Sequence, residues 1–328
     1  MTPRTPRAAI TATGLRKSYR DHVVLDGVDL DIPTGTIFSL LGPNGAGKTT
    51  MVKILSTLIG ADGGRASVLG HDLARDPDAV RAAIGVTGQY SAVDGLLTGE
   101  ENLMLMARLR RLGRAPARRR TAELLERFDL VDAARKPAST YSGGMRRRLD
   151  LAMTLVGDPG LIFLDEPTTG LDPRSRRGMW EIIRDLVAGG VTVFLTTQYL
   201  EEADQLADRI AVLDRGRFVA EGTAAELKRR VPGGHVRLRF ADRDGLDTAV
   251  RTLGGARDDE ALALQVPADG GVASLKALLD RVDAAAIAVE ELTVHTPDLD
   301  DVFLSLTGHT SADTTDTTTH DQQKAVSR

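Results

Sequence analysis

Residues 36–50 read TIFSLLGPNGAGKTT: an apolar run ends at Leu41, and Gly42–Thr50 then follows the spacing G-x-x-x-x-G-K-[ST]. A buried strand that runs into a glycine-rich turn and out into a helix-like stretch is the context this motif needs. The turn Gly42, Pro43, Asn44, Gly45, Ala46, Gly47 lets backbone N–H groups curl around a β-phosphate, and Lys48 adds a cation between the β- and γ-phosphates. Thr49 offers a hydroxyl to Mg²⁺, and Thr50 belongs to the start of a helix whose N-terminus favours negative charge. The stretch therefore predicts nucleotide binding, with Mg²⁺ expected beside the phosphates.

A second signal lies downstream. LIFLDEP (161–167) is a buried-strand pattern whose end presents two adjacent carboxylates, Asp165 and Glu166. Consecutive side chains point differently, so the two acids can divide the work. Asp165 is expected to hold Mg²⁺ through water, and Glu166 to act as the general base on the attacking water. The phosphate loop and the acid pair together specify a P-loop NTPase with an α/β fold.

Composition narrows the remaining classes. The 328 residues carry 42 Lys+Arg against 46 Asp+Glu, a formal charge of −4, which argues against a protein that lives by neutralising a phosphate backbone. Aromatic residues make up 4%, too few for a base-stacking platform, so no nucleic-acid partner is expected. Cysteine is absent, which excludes disulfides, thiolate metal sites and cysteine nucleophiles. No stretch reaches the roughly 18 apolar residues of a membrane-spanning helix, so any membrane role must come through a partner.

From about residue 8 to 222 the chain alternates β-branched runs with helical patterns, as an α/β domain with a largely parallel sheet does. Residues 36–41, 161–164, 191–196 and 209–213 are the buried-strand candidates, and ligands are expected just beyond the carboxyl ends of such strands. Residues 99–130 read as two helices interrupted around Gly113 and Pro116, within a helical insertion spanning about 90–158. Its arginines at 108, 110, 111, 114, 118, 119 and 120, and those at 146–148, read first as a solvated face. Residues 223–234 form a capped helix and linker. Residues 235–308 alternate three strands and three helices as a small α+β accessory domain, and the Thr/Asp-rich 309–328 reads as a disordered tail.

YSGGMRRRLDLA (141–152) decides which NTPase this is. Ser142, Gly143 and Gly144 stand at a helix start with donors free for an anion. The segment resembles the signature motif of ATP-binding cassette (ABC) ATPases, and the motifs occur in that family's order over residues 8–222. The resemblance implies that Tyr19 stacks on adenine, that Gln89 is a switch glutamine near the metal, that Asp172 is the aspartate of the loop after the acid pair, and that Gln198 is the last switch position. It also implies a head-to-tail homodimer in which Ser142–Gly144 of one copy closes over ATP held by Gly42–Thr50 of the other. Two positions depart from the pattern: Met145 stands where glutamine is common, and Gln198 where histidine is common. Glutamine can donate to the γ-phosphate but cannot titrate.

YSGGMRRRLDLA, the glutamine in TTQYLEEADQLADRIAVLDRGRFVAEGT and the late PDLDDVFLSLTG resemble the ATP-binding subunits of daunorubicin/doxorubicin resistance exporters. That resemblance implies an ATPase subunit at the cytoplasmic side of the membrane, working with an integral membrane permease to export a drug or antibiotic-like molecule. A soluble cassette acting on nucleic acid or ribosomes is the competing class, and an ATP-binding regulatory module with little turnover a second.

Overall fold

The computed structural model describes residues 8–89, 91–230, 234–268, 271–295 and 297–307. Residues 231–233 of the expected linker and the expected tail at 309–328 lie outside them. The chain divides into two compact units between Ala224 and Ala225.

The first unit opens with a long hairpin, β1 (Ala8–Tyr19) and β2 (His22–Pro33), followed by β3 (Ile37–Leu41) and α1 (Lys48–Leu55). β4 (Gly63–Val68) returns to pair with β1, and β5 (His71–Asp72) completes an antiparallel sheet of order β2-β1-β4-β5. The chain continues through α2 (Pro77–Ala83) and β6 (Ile84–Thr87) into the helical part: α3 (Gly99–Leu109), α4 (Arg114–Arg127) and α5 (Gly143–Thr154). It returns through β7 (Leu161–Asp165), α6 (Pro173–Ala188), β8 (Thr192–Thr197), α7 (Leu200–Leu206), β9 (Arg209–Asp214) and β10 (Arg217–Gly222). The second sheet has the order β10-β9-β3-β8-β7-β6, and every pairing but β9–β10 is parallel.

Parallel strands are covered on both faces, and alternation along each strand assigns the two cores. Ile162, Leu164, Val193 and Leu195 face the helical part, packing with Leu124, Phe128, Leu149 and Ile183. Leu161, Phe163, Phe194, Phe38 and Leu40 face the other way, onto α1 and the antiparallel sheet. Strands β3, β7, β8 and β9 match the expected runs to within a residue at each end. The antiparallel sheet was not anticipated, although Val28, Leu30 and Ile32 are buried and Asp29 and Asp31 exposed in strict alternation. The break between α3 and α4 falls at residues 110–113. Pro116 lies inside the first turn of α4, where its missing N–H costs no intrahelical bond.

The second unit begins within α8 (Ala224–Arg229) and continues with β11 (His235–Arg239), α9 (Arg243–Leu253), β12 (Ala256–Asp258), β13 (Ala263–Pro267), α10 (Val272–Ala284), β14 (Glu291–His295) and α11 (Leu299–Thr307). Its antiparallel sheet runs β12-β13-β11-β14 around Val236, Leu238, Phe240, Leu264 and Leu278. The last strand starts at Glu291. Ala286 is left-handed at φ 50°, and the N–H groups of Ala286 and Ile287 still bond back to α10, so these residues form the helix exit.

Phe194 is fully buried, with ring centroids 5.4 Å from Phe38 and 5.5 Å from Phe163. Phe194→Ala removes the centre of this aromatic stack and is expected to cost about 3–5 kcal/mol. A lowered midpoint of the first unit's denaturant transition, with that of the second unit unchanged, checks it.

Candidate functional site

The carboxyl ends of β3, β7 and β8 lie side by side because Leu41 pairs with Thr197, and Asp165 with Thr196. The Gly42–Gly47 turn leaves β3 there. A Cβ on Gly42 would stand 2.4 Å from the Leu213 carbonyl oxygen, so no side chain fits. Gly47 caps α1 at φ 111°, where a Cβ would stand 2.8 Å from the Val24 oxygen. Both glycines are therefore dictated by the close approach of neighbouring backbone.

His22, Val24, Pro43, Asn44, Gly45, Gly47, Lys48, Thr49, Thr50, Gln89 and Glu166 line a cavity of about 420 Å³ at this edge. Inside it, the Lys48 ammonium donates to the Gly42 oxygen at 2.7 Å and the Pro43 oxygen at 3.1 Å, and lies 3.7 Å from Glu166 Oε1. Burial lowers the pKa of Lys48, while Glu166 and Asp165 push it back up. Asp165 is buried and accepts from Thr196 Oγ1 at 2.5 Å and from Thr49 Oγ1 at 3.4 Å.

Glu166 is left-handed at φ 49°, a conformation that costs a non-glycine residue about 1–3 kcal/mol. Its N–H donates to the Thr196 carbonyl and lies 3.2 Å from the Thr196 hydroxyl, and Thr169 Oγ1 donates to its carboxylate at 3.3 Å. The bend turns the side chain from the strand end towards Lys48.

The remaining expected residues fall into two groups. Gln198 is half-buried just beyond the end of β8, next to Thr197. Tyr19 is exposed at the end of β1, is not among the residues lining the cavity, and pairs across the strand with His22, which is. The Ser142–Gly144 turn stands apart. Ser142 caps α5 by accepting from the Met145 N–H, and Ser142 and Gly144 line a different cavity of about 650 Å³ with Arg148, Arg174 and Arg177. Asp172 caps α6, accepting from the N–H groups of Arg174 and Ser175 and the Ser175 hydroxyl, and these bonds hold its carboxyl below the usual range.

Sequence reasoning missed a buried polar group beneath the acid pair. The reading of Arg146–Arg148 as a solvated face fails at Arg147, which turns inward with its side chain 11% exposed and pairs with the buried Asp150. Glu202, fully buried, accepts from Thr168 Oγ1 at 2.8 Å and Trp180 Nε1 at 3.1 Å, and burial raises its pKa. Spacing gives the clue in one case: Arg147 and Asp150 are three apart on a helix whose next residues are all apolar or small.

A glycine cradle, a buried lysine and a facing carboxylate pair are the chemistry of a nucleoside triphosphate pocket, and the fold around them is that of the P-loop NTPases. The ABC transporter family model matches residues 25–169. The chain is 51% identical to a daunorubicin resistance ATP-binding protein of Streptomyces coeruleorubidus, over 92% of this chain and 96% of the relative. It is 49% identical to the daunorubicin/doxorubicin resistance ATP-binding protein of Streptomyces peucetius, over 94% and 95% respectively. A solved ATP-binding subunit of an ABC transporter superposes with a TM-score of 0.61 at 29% identity, covering 68% of this chain and 92% of that one. The chain thus belongs to the ABC transporter ATP-binding proteins, in the group of the daunorubicin/doxorubicin resistance ATP-binding proteins, and ATP is its nucleotide.

Gly47→Ala tests the cradle. The new methyl meets Val24 O and Leu25, so nucleotide affinity is expected to fall at least about tenfold. Titration with a fluorescent ATP analogue reads it, and retained affinity would show that the turn can shift.

Proposed function

We propose that this protein hydrolyses Mg-ATP as a homodimer and thereby drives export of a drug or antibiotic-like small molecule through a separate integral membrane permease, from the cytoplasmic side of the membrane. The observation that carries the reading is the convergence of Lys48, Asp165 and Glu166 at one strand edge in a chain about half identical to drug-resistance ATP-binding proteins. No helix among the described residues is long and apolar enough to cross a membrane, which supports a separate membrane subunit.

In this reading Gly42–Thr50 wraps the phosphates and Lys48 exchanges its carbonyl partners for β- and γ-phosphate oxygens. Tyr19 stacks on the adenine. Glu166 takes a proton from water as its oxygen attacks the γ-phosphorus, and ADP departs as the bond to its β-phosphate oxygen breaks. Gln198 donates to the γ-phosphate. The donor set at Thr49 Oγ1, Asp165 and Gln89 is hard oxygen, and Thr49 and Asp165 already share a contact, so these residues fit Mg²⁺. That ion would supply charge neutralisation at the phosphates.

The second cavity supports the homodimer. It joins the N-terminus of α5 at Ser142–Gly144 to Arg174, Arg177 and an Arg148 that is paired with Asp129, with Glu181 also in the lining, so its surplus of donors is separate from the chain's own phosphate loop. A similar solved cassette is dimeric in a post-hydrolysis state with ADP and Pi. Asp172, beside this cavity, would then belong to the dimer interface.

Glu166→Gln is expected to reduce turnover about 10²–10³-fold, leave ATP binding intact, and trap with ATP a dimer that the wild type forms transiently. Steady-state turnover and size-exclusion chromatography read both; equal behaviour of the two proteins would sink the motor reading. Gln198→Ala is expected to lower turnover several-fold, and wild-type turnover would remove that residue from the mechanism. Affinity capture from gently solubilised membranes with ATP present is expected to bring down a multispanning protein in stoichiometric amount; ribosomal partners would favour the soluble alternative.

A further inference from the structure

Arg147 uses every donor it has. A guanidinium carries five N–H groups in a rigid fork. Nε donates to the Pro167 oxygen at 2.9 Å; Nη1 to the Gly88 oxygen at 3.0 Å and to Asp150 Oδ2 at 3.2 Å; Nη2 to the oxygens of Asp165 at 3.2 Å and Glu166 at 3.4 Å. Four of the five acceptors are main-chain carbonyls. Three of these belong to consecutive residues centred on Glu166, and the fourth directly precedes Gln89.

Its partner completes the clamp. Asp150 Oδ1 accepts from the N–H of Ala92 at 3.0 Å while Oδ2 faces Arg147. The pair therefore grips the Gln89 segment on both sides, at Gly88 and at Ala92, and grips the acid-pair turn along Asp165–Pro167. Both residues sit one and two turns into α5, the helix that begins at the Ser142–Gly144 turn.

The geometry assigns Arg147 as a positioning residue for ATP hydrolysis. It fixes the left-handed Glu166 turn and the Gln89 segment to α5, so that movement of the Ser142–Gly144 turn reaches both nucleotide-facing residues of the same chain through one side chain. The inference rests on the ATPase reading above. It differs from ordinary ion pairing because most of the fork is spent on carbonyl oxygens whose positions set the direction of Glu166 and Gln89. An ion pair made for charge alone would not need five aligned donors.

Arg147→Lys in the full chain is the decisive variant, because it keeps the charge and the stem but offers three donors that radiate from one atom. The expected result is a kcat at least tenfold lower, with KM and ATP-analogue affinity within about twofold and the melting temperature close to wild type. Amide hydrogen exchange should rise at residues 88–94 and 165–169 and remain unchanged in β3 and α1. Asp150→Asn, which disturbs the Ala92 end, should raise exchange at 91–94 and leave 165–169 protected. A wild-type kcat in Arg147→Lys overturns the proposal, as does an exchange increase spread evenly through the first unit, which would mark a merely structural residue. If the wild type itself hydrolyses no ATP, the ATPase reading fails, and the exchange pattern still decides whether Arg147 holds the two segments.

Discussion

Register between three parallel strands governs the active edge. Asp165 stands opposite Thr196, and Leu41 opposite Thr197, so the phosphate loop, the acid pair and the Gln198 turn all leave the sheet at one level. A slip of one residue would send every side chain of β7 to the opposite face. The apolar residues on both faces of that strand forbid it, since Ile162 and Leu164 serve one core and Leu161 and Phe163 the other. The hydrogen bond from Thr196 to Asp165 is a direct product of this register, and it positions the acid that also meets Thr49.

Beneath that edge lies an unusual concentration of buried charge: Lys48, Asp165, Arg147, Asp150 and Glu202. Such groups are weak contributors to stability, because desolvation consumes most of the Coulombic gain, whereas removing one partner costs about 3–5 kcal/mol. Their directions agree with this picture. Burial pulls Lys48 and Arg147 down, with the facing carboxylates restoring part of the shift, and pushes Asp150 and Glu202 up, where hydrogen bonds first and opposite charge second restore part of it. Glu202 has an additional peculiarity: its Oε2 has no hydrogen-bond partner among the described residues, while Oε1 ties Thr168, just after the acid pair, to Trp180 of α6. A network that expensive is justified by the orientation it imposes on the turn at Glu166.

How much of this was legible in the sequence follows the range of the forces involved. GPNGAGKTT and LIFLDEP are local: strand, turn and acid pair are contiguous, and the structure places them as their spacing demands. The hairpin of β1 and β2 escaped because its alternation is interrupted by Gly14 and Gly27, both at positive φ, and by register shifts that a period-two reading cannot follow. Arg147 escaped for a different reason. Among three consecutive arginines the one local hint is the three-residue spacing of Arg147 to Asp150, and Arg146 at four residues is also within helical reach; the acceptors that select Arg147 come from residues 88 and 165–167. The fate of the upstream arginines was equally hidden. Arg110 donates to the carbonyls of Arg81 and Ile84, and Arg120 to that of Leu155, while Arg108, Arg111, Arg114, Arg118 and Arg119 stay exposed as expected.

The two departures from the family pattern have different physical weight. At position 145 a methionine keeps the backbone N–H that Ser142 caps and adds apolar contact with the helical core, so the change exchanges a polar tip for packing and leaves the cap of α5 unaltered. At position 198 the exchange removes an ionisable ring from a strand end whose previous two residues hold fixed bonds, Thr196 to Asp165 and Thr197 to the N–H of Tyr199. A carboxamide there can donate throughout the physiological pH range without changing charge. On the proposed mechanism, proton acceptance then rests with Glu166 alone. That places a stricter demand on the direction of its side chain, and a residue that spends five donors on the turn carrying it answers that demand.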